Sequence, residues 1–149
     1  MNTAFTLPDA DGNLFSSGDH LPLVLYFYPK DSTSGCTKEA QEFTELLPQF
    51  QALGCTVAGV SRDSEKSHRN FICRYSLGVA LLSDREETVC RQFDVIREKS
   101  MYGRKVMGVE RSTFLIGRDG SVLREWRKVK AAGHAAQVLD AARELLGAA

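Results

Sequence analysis

Two apolar runs separated by one amphipathic segment constrain this chain more than anything else in it. Leu23-Val24-Leu25-Tyr26-Phe27-Tyr28 and Cys55-Thr56-Val57-Ala58-Gly59-Val60-Ser61 are short, largely apolar stretches, the pattern of buried strands of the parallel type. Between them, Phe43, Leu46 and Leu47 are spaced for one face of a helix running from about Ser34 to Leu53, where Gly54 closes it. Pro48 falls inside that run and invites a kink or break near Leu47. Strand, helix and strand in this order make a βαβ unit.

The rest of the chain fits around that unit. Ala4 to Pro8 alternates like a short strand, and Asp9 to Asn13 turns it into Leu14-Phe15, an N-terminal hairpin ahead of the main sheet. After the second buried strand, Asp63 or Ser64 is the N-cap of a helix reaching about Tyr75 or Ser76. Val79 to Leu82 is a short extended piece, and Ser83-Asp84 caps a helix carrying Val89, Cys90 and Phe93. Arg97 to Gly108 reads as a polar segment with glycines. Val109 to Ile116 and Ser121 to Val129 pair through an Arg118-Asp119-Gly120 turn. A last amphipathic helix spans about His134 to Leu146, with His134 as its cap. The expected fold is α/β and thioredoxin-like: a mixed central sheet with helices on both faces, in a single domain over residues 1–149.

Composition excludes more than it identifies. Nineteen basic residues balance nineteen acidic ones, so nothing points to nucleic acid or an anionic membrane. The longest apolar run is far shorter than a bilayer span, and no basic segment leads into an apolar stretch at the start. A cytoplasmic protein is the expectation. The four cysteines, Cys36, Cys55, Cys73 and Cys90, form no C-x-x-C and no His/Cys cluster. That argues against a zinc site and against a dithiol reductase.

Cys36 stands apart from the other three. It sits where the first buried strand hands over to the helix, in that helix's first turn. Backbone N–H groups there lack intrahelical partners, and the positive end of the helix dipole stabilises an anion. The thiolate is the reactive form of a cysteine. Taken by itself, such a residue also reads as a small buried cysteine closing a strand-loop-helix corner.

The surrounding residues carry a resemblance. Tyr26 to Ala40, with Pro29, Thr33 and Cys36 in a P-x-x-x-T-x-x-C arrangement, closely resembles the active-site segment of peroxiredoxins, most of all the PrxQ or bacterioferritin comigratory group. The likeness continues through Phe5 to Asp9, Gly59 to Ser64, Leu81 to Asp84, Met101 to Gly103, Glu110 to Ile116 and Gly133-His134. It implies thiol-dependent reduction of hydrogen peroxide and organic hydroperoxides without metal or prosthetic group. It also implies a thioredoxin or other thiol reductant as partner, and a monomer. Two departures stand out. Ser34 occupies a position where a second proline is usual, and the chain starts later than is usual, so an initial edge strand is expected to be short or missing.

The resemblance assigns roles. Cys36 is the peroxidatic nucleophile, with Thr33 beside the sulfur and Arg111 supplying a permanent cation. Pro29 shields the loop from water, and the N–H groups of Gly35 and Cys36 complete the donor set. Without the loop pattern, Arg111 reads as a surface partner of Glu110. Glu39 is either the partner of an active-site arginine or a solvated helix charge, and Tyr28 and Phe27 are core or pocket wall. His20 and His68 lack a partner pattern. The sulfenic acid left on Cys36 condenses with a second thiol to a disulfide. One family position for that thiol is Gln41 here. Another follows Phe71, where the chain has Ile72, with Cys73 one residue later. Cys73 is therefore the candidate resolving cysteine, and Cys55 and Cys90 read as core thiols. A one-cysteine mechanism using an external thiol, and a peroxide-sensing module, stay open beside it.

Overall fold

The βαβ unit forms where its apolar runs predict. A computed structural model describes residues 2–147. Strand β3 (Leu23–Phe27) is wholly buried and pairs in parallel with β4 (Thr56–Ser61), Leu23 opposite Thr56. Helix α1 (Ser34–Ala52) connects them and runs unbroken through Pro48. Phe43 and Phe50, both fully buried, anchor α1 on either side of that proline, whose own position is exposed. Packing at the two phenylalanines outweighs the backbone hydrogen bond that the proline removes.

Around this unit the chain adds β1 (Thr6–Pro8), β2 (Leu14–Ser16), α2 (Glu65–Tyr75), β5 (Ala80–Ser83) and α3 (Thr88–Gln92). It ends with β6 (Ile96–Met101), β7 (Arg104–Val109), β8 (Ser112–Ile116), β9 (Val122–Trp126) and α4 (His134–Leu146). The central sheet has the order β5-β4-β3-β8-β9. β5, β4 and β3 are parallel, and β8 and β9 run antiparallel. The period-two alternation of β3 divides the core. Val24 and Tyr26 face α1, α2 and α4 through Phe43, Phe71 and Val138. Leu23, Leu25 and Phe27 face the other layer, built from the β1–β2 hairpin, α3 and Phe93.

Several local expectations are corrected. The polar segment Arg97 to Gly108 is the β6–β7 hairpin, with Met101 opposite Arg104 and Tyr102 and Gly103 at φ +52° and +77°. That is the two-residue turn matched to strand twist. The expected strand from Val109 to Ile116 is thus the end of β7 and, after Glu110 and Arg111, the whole of β8; its partner β9 stops at Trp126 rather than Val129. Asp84 does cap α3, its carboxylate accepting from the Val89 and Cys90 N–H groups at 3.2 and 2.6 Å, but the N-cap position itself is Glu87, at φ +65°. His134 is not the cap of α4. It is buried as the first helical residue, behind Gly133 at φ +78°, and its Nε2 lies 2.7 Å from Thr113 Oγ1. The α2 cap is Ser64, which accepts from Ser67 N–H at 3.2 Å.

Candidate active site

The site lies at the carboxyl end of β3, where the chain leaves the sheet and enters α1. Thr33 is the N-cap, with extended backbone, and Ser34 is the first helical residue. That is the helix position proline favours, but no N–H is needed from it there, so serine in its place still lets the helix start. Cys36 follows two residues later and is only 1% exposed.

Arg111 reaches the sulfur from the other side. It sits between β7 and β8, and its backbone oxygen accepts from Val129 N–H at 3.0 Å, which ties it to the chain beyond β9. Its Nη2 donates to Cys36 Sγ at 3.2 Å and its Nη1 donates to Glu39 Oε1 at 2.6 Å. Gly35 makes room for this approach, since a Cβ there would stand 3.2 Å from Arg111 Nη2. Burial works against the Arg111 charge, but Glu39 and Cys36 outweigh it and the guanidinium is held more firmly protonated than usual.

Glu39 is the other half of the device. Its side chain is completely buried, so it is a partner of Arg111 and not a solvated helix charge. Burial pushes its pKa up from 4.5 to about 7, against the pull of Arg111. Glu39 Oε2, Thr37 Oγ1 and Tyr26 OH are buried beside the site without hydrogen-bond partners. Burial, with help from Glu39, also holds the Tyr26 phenol well above its ordinary range.

The remaining expected residues are placed less closely together. Pro29 is half-buried on the loop, and Thr33 is exposed, its hydroxyl donating to Lys30 O at 3.0 Å. Cys73 is exposed on the last turn of α2, whereas Cys55 and Cys90 are buried. Burial pushes the Cys55 thiol up to about 12 and the Cys90 thiol higher still. All four thiols are free. Among the described residues, no group of three or more His, Cys, Asp or Glu side chains is placed to hold a metal ion, and no helix is long and apolar enough to cross a membrane.

One cluster escaped sequence reasoning. Asp31, on the loop before Cys36, is buried against Tyr28, Ser67 and His68. The available signal was His68 itself, a polar ring on the apolar stripe of α2 with Phe71, Ile72 and Tyr75. A buried ring of that kind has to find hydrogen-bond partners.

A thioredoxin-like sheet that holds a buried thiol at a helix start, under a guanidinium and without a second cysteine nearby on that helix, defines a thiol-based redox enzyme distinct from the C-x-x-C reductases. The sequence profile described as AhpC/TSA family matches residues 2–124. Peroxiredoxin Bcp of Xanthomonas campestris is 57% identical over 119 residues, spanning 80% of this chain and 74% of that one. Peroxiredoxin Bcp of Bacillus subtilis is 43% identical over 123 residues, spanning 83% and 78%. A solved structure of Xanthomonas campestris peroxiredoxin Q aligns with a TM-score of 0.90 at 49% identity, covering 95% of this chain and 91% of its own. The chain belongs to the AhpC/TSA family, as a peroxiredoxin of the Bcp/PrxQ group.

Proposed function

We propose that this peroxiredoxin reduces hydrogen peroxide and organic hydroperoxides through Cys36. The observation that carries this reading is the Arg111 fork, which donates to Cys36 Sγ at 3.2 Å while Glu39 holds its other nitrogen. A solved Xanthomonas campestris relative, the bacterioferritin comigratory protein, is described by its alkyl peroxide reduction activity, which supports the same substrate class here.

The Cys36 thiolate attacks one peroxide oxygen in line with the O–O bond. A new S–O bond forms, the O–O bond breaks, and the second oxygen leaves as alkoxide or hydroxide and takes up a proton to become alcohol or water. Negative charge passes from sulfur to oxygen, so donors fixed in advance near both atoms lower the barrier. Arg111 Nη2 and the N–H groups of Gly35 and Cys36 serve this purpose. In this reading Thr33 exchanges its bond to Lys30 for one to the peroxide, and Pro29 walls the thiolate from bulk water.

Resolution falls to Cys73. Its thiol condenses with the Cys36 sulfenic acid, releasing water and forming a disulfide, which a thioredoxin-type dithiol then reduces. Because a disulfide needs Cα atoms within about 7 Å, the first turn of α1 and the last turn of α2 unwind for this step. This chain supplies both thiols of the disulfide, and the protein acts as a monomer of one domain in the cytoplasm.

Intact mass after one equivalent of peroxide tests the scheme. The reduced protein loses two hydrogens, Cys55→Ser and Cys90→Ser keep that loss, and Cys73→Ser does not. Cys36→Ser stops peroxide consumption; if it consumed peroxide as the unmutated protein does, the reading would fail. A sulfenic or sulfinic Cys36 that accumulates in the unmutated protein instead assigns resolution to an external thiol.

A further inference from the structure

Asp31 is the most heavily fastened residue of the Cys36 loop. Its Oδ1 accepts from Tyr28 OH at 2.6 Å, and its Oδ2 accepts from Ser67 Oγ and His68 Nδ1, each at 2.7 Å. Its backbone N–H donates to Asp63 Oδ2 at 2.9 Å, an oxygen that also accepts from Ser61 Oγ at 2.7 Å. Burial holds the Tyr28 phenol well above its ordinary range, so it remains a donor. His68 is wholly buried, and its Nε2 lies 3.0 Å from Leu82 O. The ring thus spans from the edge strand β5 to the loop, and α2 is fixed between them.

The loop needs such fastening. Ser32, next to Asp31, sits at φ +64°, a left-handed backbone that is unfavourable for a non-glycine residue. Only Ser32 and Thr33 separate Asp31 from the first residue of α1. Whatever holds Asp31 therefore holds the start of the helix that carries Cys36. The holding element, α2, is the helix whose exposed last turn carries Cys73, five residues beyond His68.

We infer that His68 is a positioning residue for the peroxide reaction: through Asp31 it latches the Cys36 loop to α2 and so sets the balance between the closed loop and an opened one. The inference rests on Cys36 being the peroxidatic residue. The closed loop keeps the sulfur under Arg111. The opened loop releases it to meet a thiol. A sulfenic Cys36 has two fates. It condenses with a thiol, giving a disulfide and water, or a second hydroperoxide transfers an oxygen to it, giving a sulfinic acid and an alcohol or water. A tight latch favours the second fate at high peroxide, and a loose one favours the first.

Two near-isosteric substitutions separate the latch from mere packing. His68→Asn keeps a donor at the Nδ1 position, toward Asp31, and loses the contact with Leu82. His68→Gln does the reverse. Amide hydrogen exchange over residues 29–37 of the reduced protein reads the latch without peroxide, and the sulfinic-to-disulfide ratio after a peroxide pulse reads its consequence. In His68→Gln, loop exchange quickens and the ratio falls, each by roughly tenfold or more, as expected for losing a hydrogen bond to a charged group. His68→Asn stays close to the unmutated protein in both. Ser67→Ala, which removes one of the three donors to the carboxylate, shifts both readouts the same way by a smaller factor and decides the matter if either His68 variant does not fold. Equal effects of Asn and Gln, or unchanged exchange in Gln or Ser67→Ala, overturn the inference. If exchange follows the latch while the unmutated protein consumes no peroxide, the peroxidase reading fails and the latch stands.

Discussion

Glu39 carries an ionisation that is written into the stability of the protein. Its side chain is fully buried, with one oxygen bonded to Arg111 Nη1 at 2.6 Å and the other unpartnered. Burial raises its pKa from 4.5 to about 7. An unfolded chain ionises this group near the lower value and the folded chain only near the higher. Between the two, the folded state binds the extra proton, so stability falls as pH rises through that window, and the loss is complete above about pH 7. At about 1.4 kcal/mol for each tenfold change in proton affinity, the loss comes to about 3 kcal/mol. Glu39→Gln cannot ionise. It keeps an oxygen for Arg111 but puts an unpartnered donor where Oε2 stands, at a cost of roughly 1–3 kcal/mol that does not depend on pH. The variant therefore gains about 3 kcal/mol on the unmutated protein between about pH 4 and about pH 8, because the fixed cost cancels in the comparison. Urea unfolding followed at the single tryptophan, Trp126, with reductant present, measures both proteins at both pH values. A stability difference that is the same at the two pH values refutes the reasoning and means that Glu39 takes up its proton alike in the folded and the unfolded chain.

Arg111→Lys keeps the charge but not the fork, so it cannot serve Cys36 and Glu39 together. The single-turnover rate with peroxide falls about a hundredfold, measured by stopped flow, and a rate equal to that of the unmutated protein removes the guanidinium from the chemistry. Gly59→Ala places a Cβ 2.6 Å from Tyr26 Cζ and 2.8 Å from its hydroxyl, inside the core beneath the site. It destabilises the fold by about 1–3 kcal/mol, seen as a melting temperature lowered by several degrees, and an unchanged melt shows that Tyr26 can move aside.

What the sequence made legible follows from where water is excluded. β3, β4, α1 and α4 could be read because burial marks the sequence, as a largely apolar run in the two strands and as a helical period in the two helices. The β6–β7 hairpin could not, because Glu98, Ser100, Arg104 and Lys105 keep it in solvent and leave no alternation to see. Its one signal was the Tyr102-Gly103 turn. In the site, Cys36 was legible from its place at a helix start, and Arg111 from the likeness to a family. Of the contacts that fix them, Glu39 with Arg111 was one of two readings open for that glutamate, whereas Asp31 with His68, 37 positions apart, was not legible. Buried polar groups announce that a partner is needed without saying which one it is.

The sheet order explains why these partners meet at one point. β3 is flanked by a parallel strand on one side and an antiparallel strand on the other. Its carboxyl end therefore lies between the carboxyl end of β4 and the amino end of β8. From the β4 side come Ser61, Asp63 and α2 with Ser67 and His68, which grip Asp31. From the β8 side comes Arg111, which grips Cys36. One side holds the backbone of the loop and the other supplies charge to its sulfur. Loop position and sulfur charge are thus supplied from different strands. The two sides meet only at the short run from Asp31 to Cys36, so opening that run interrupts both, and it is the segment that has to open if Cys36 is to reach another thiol.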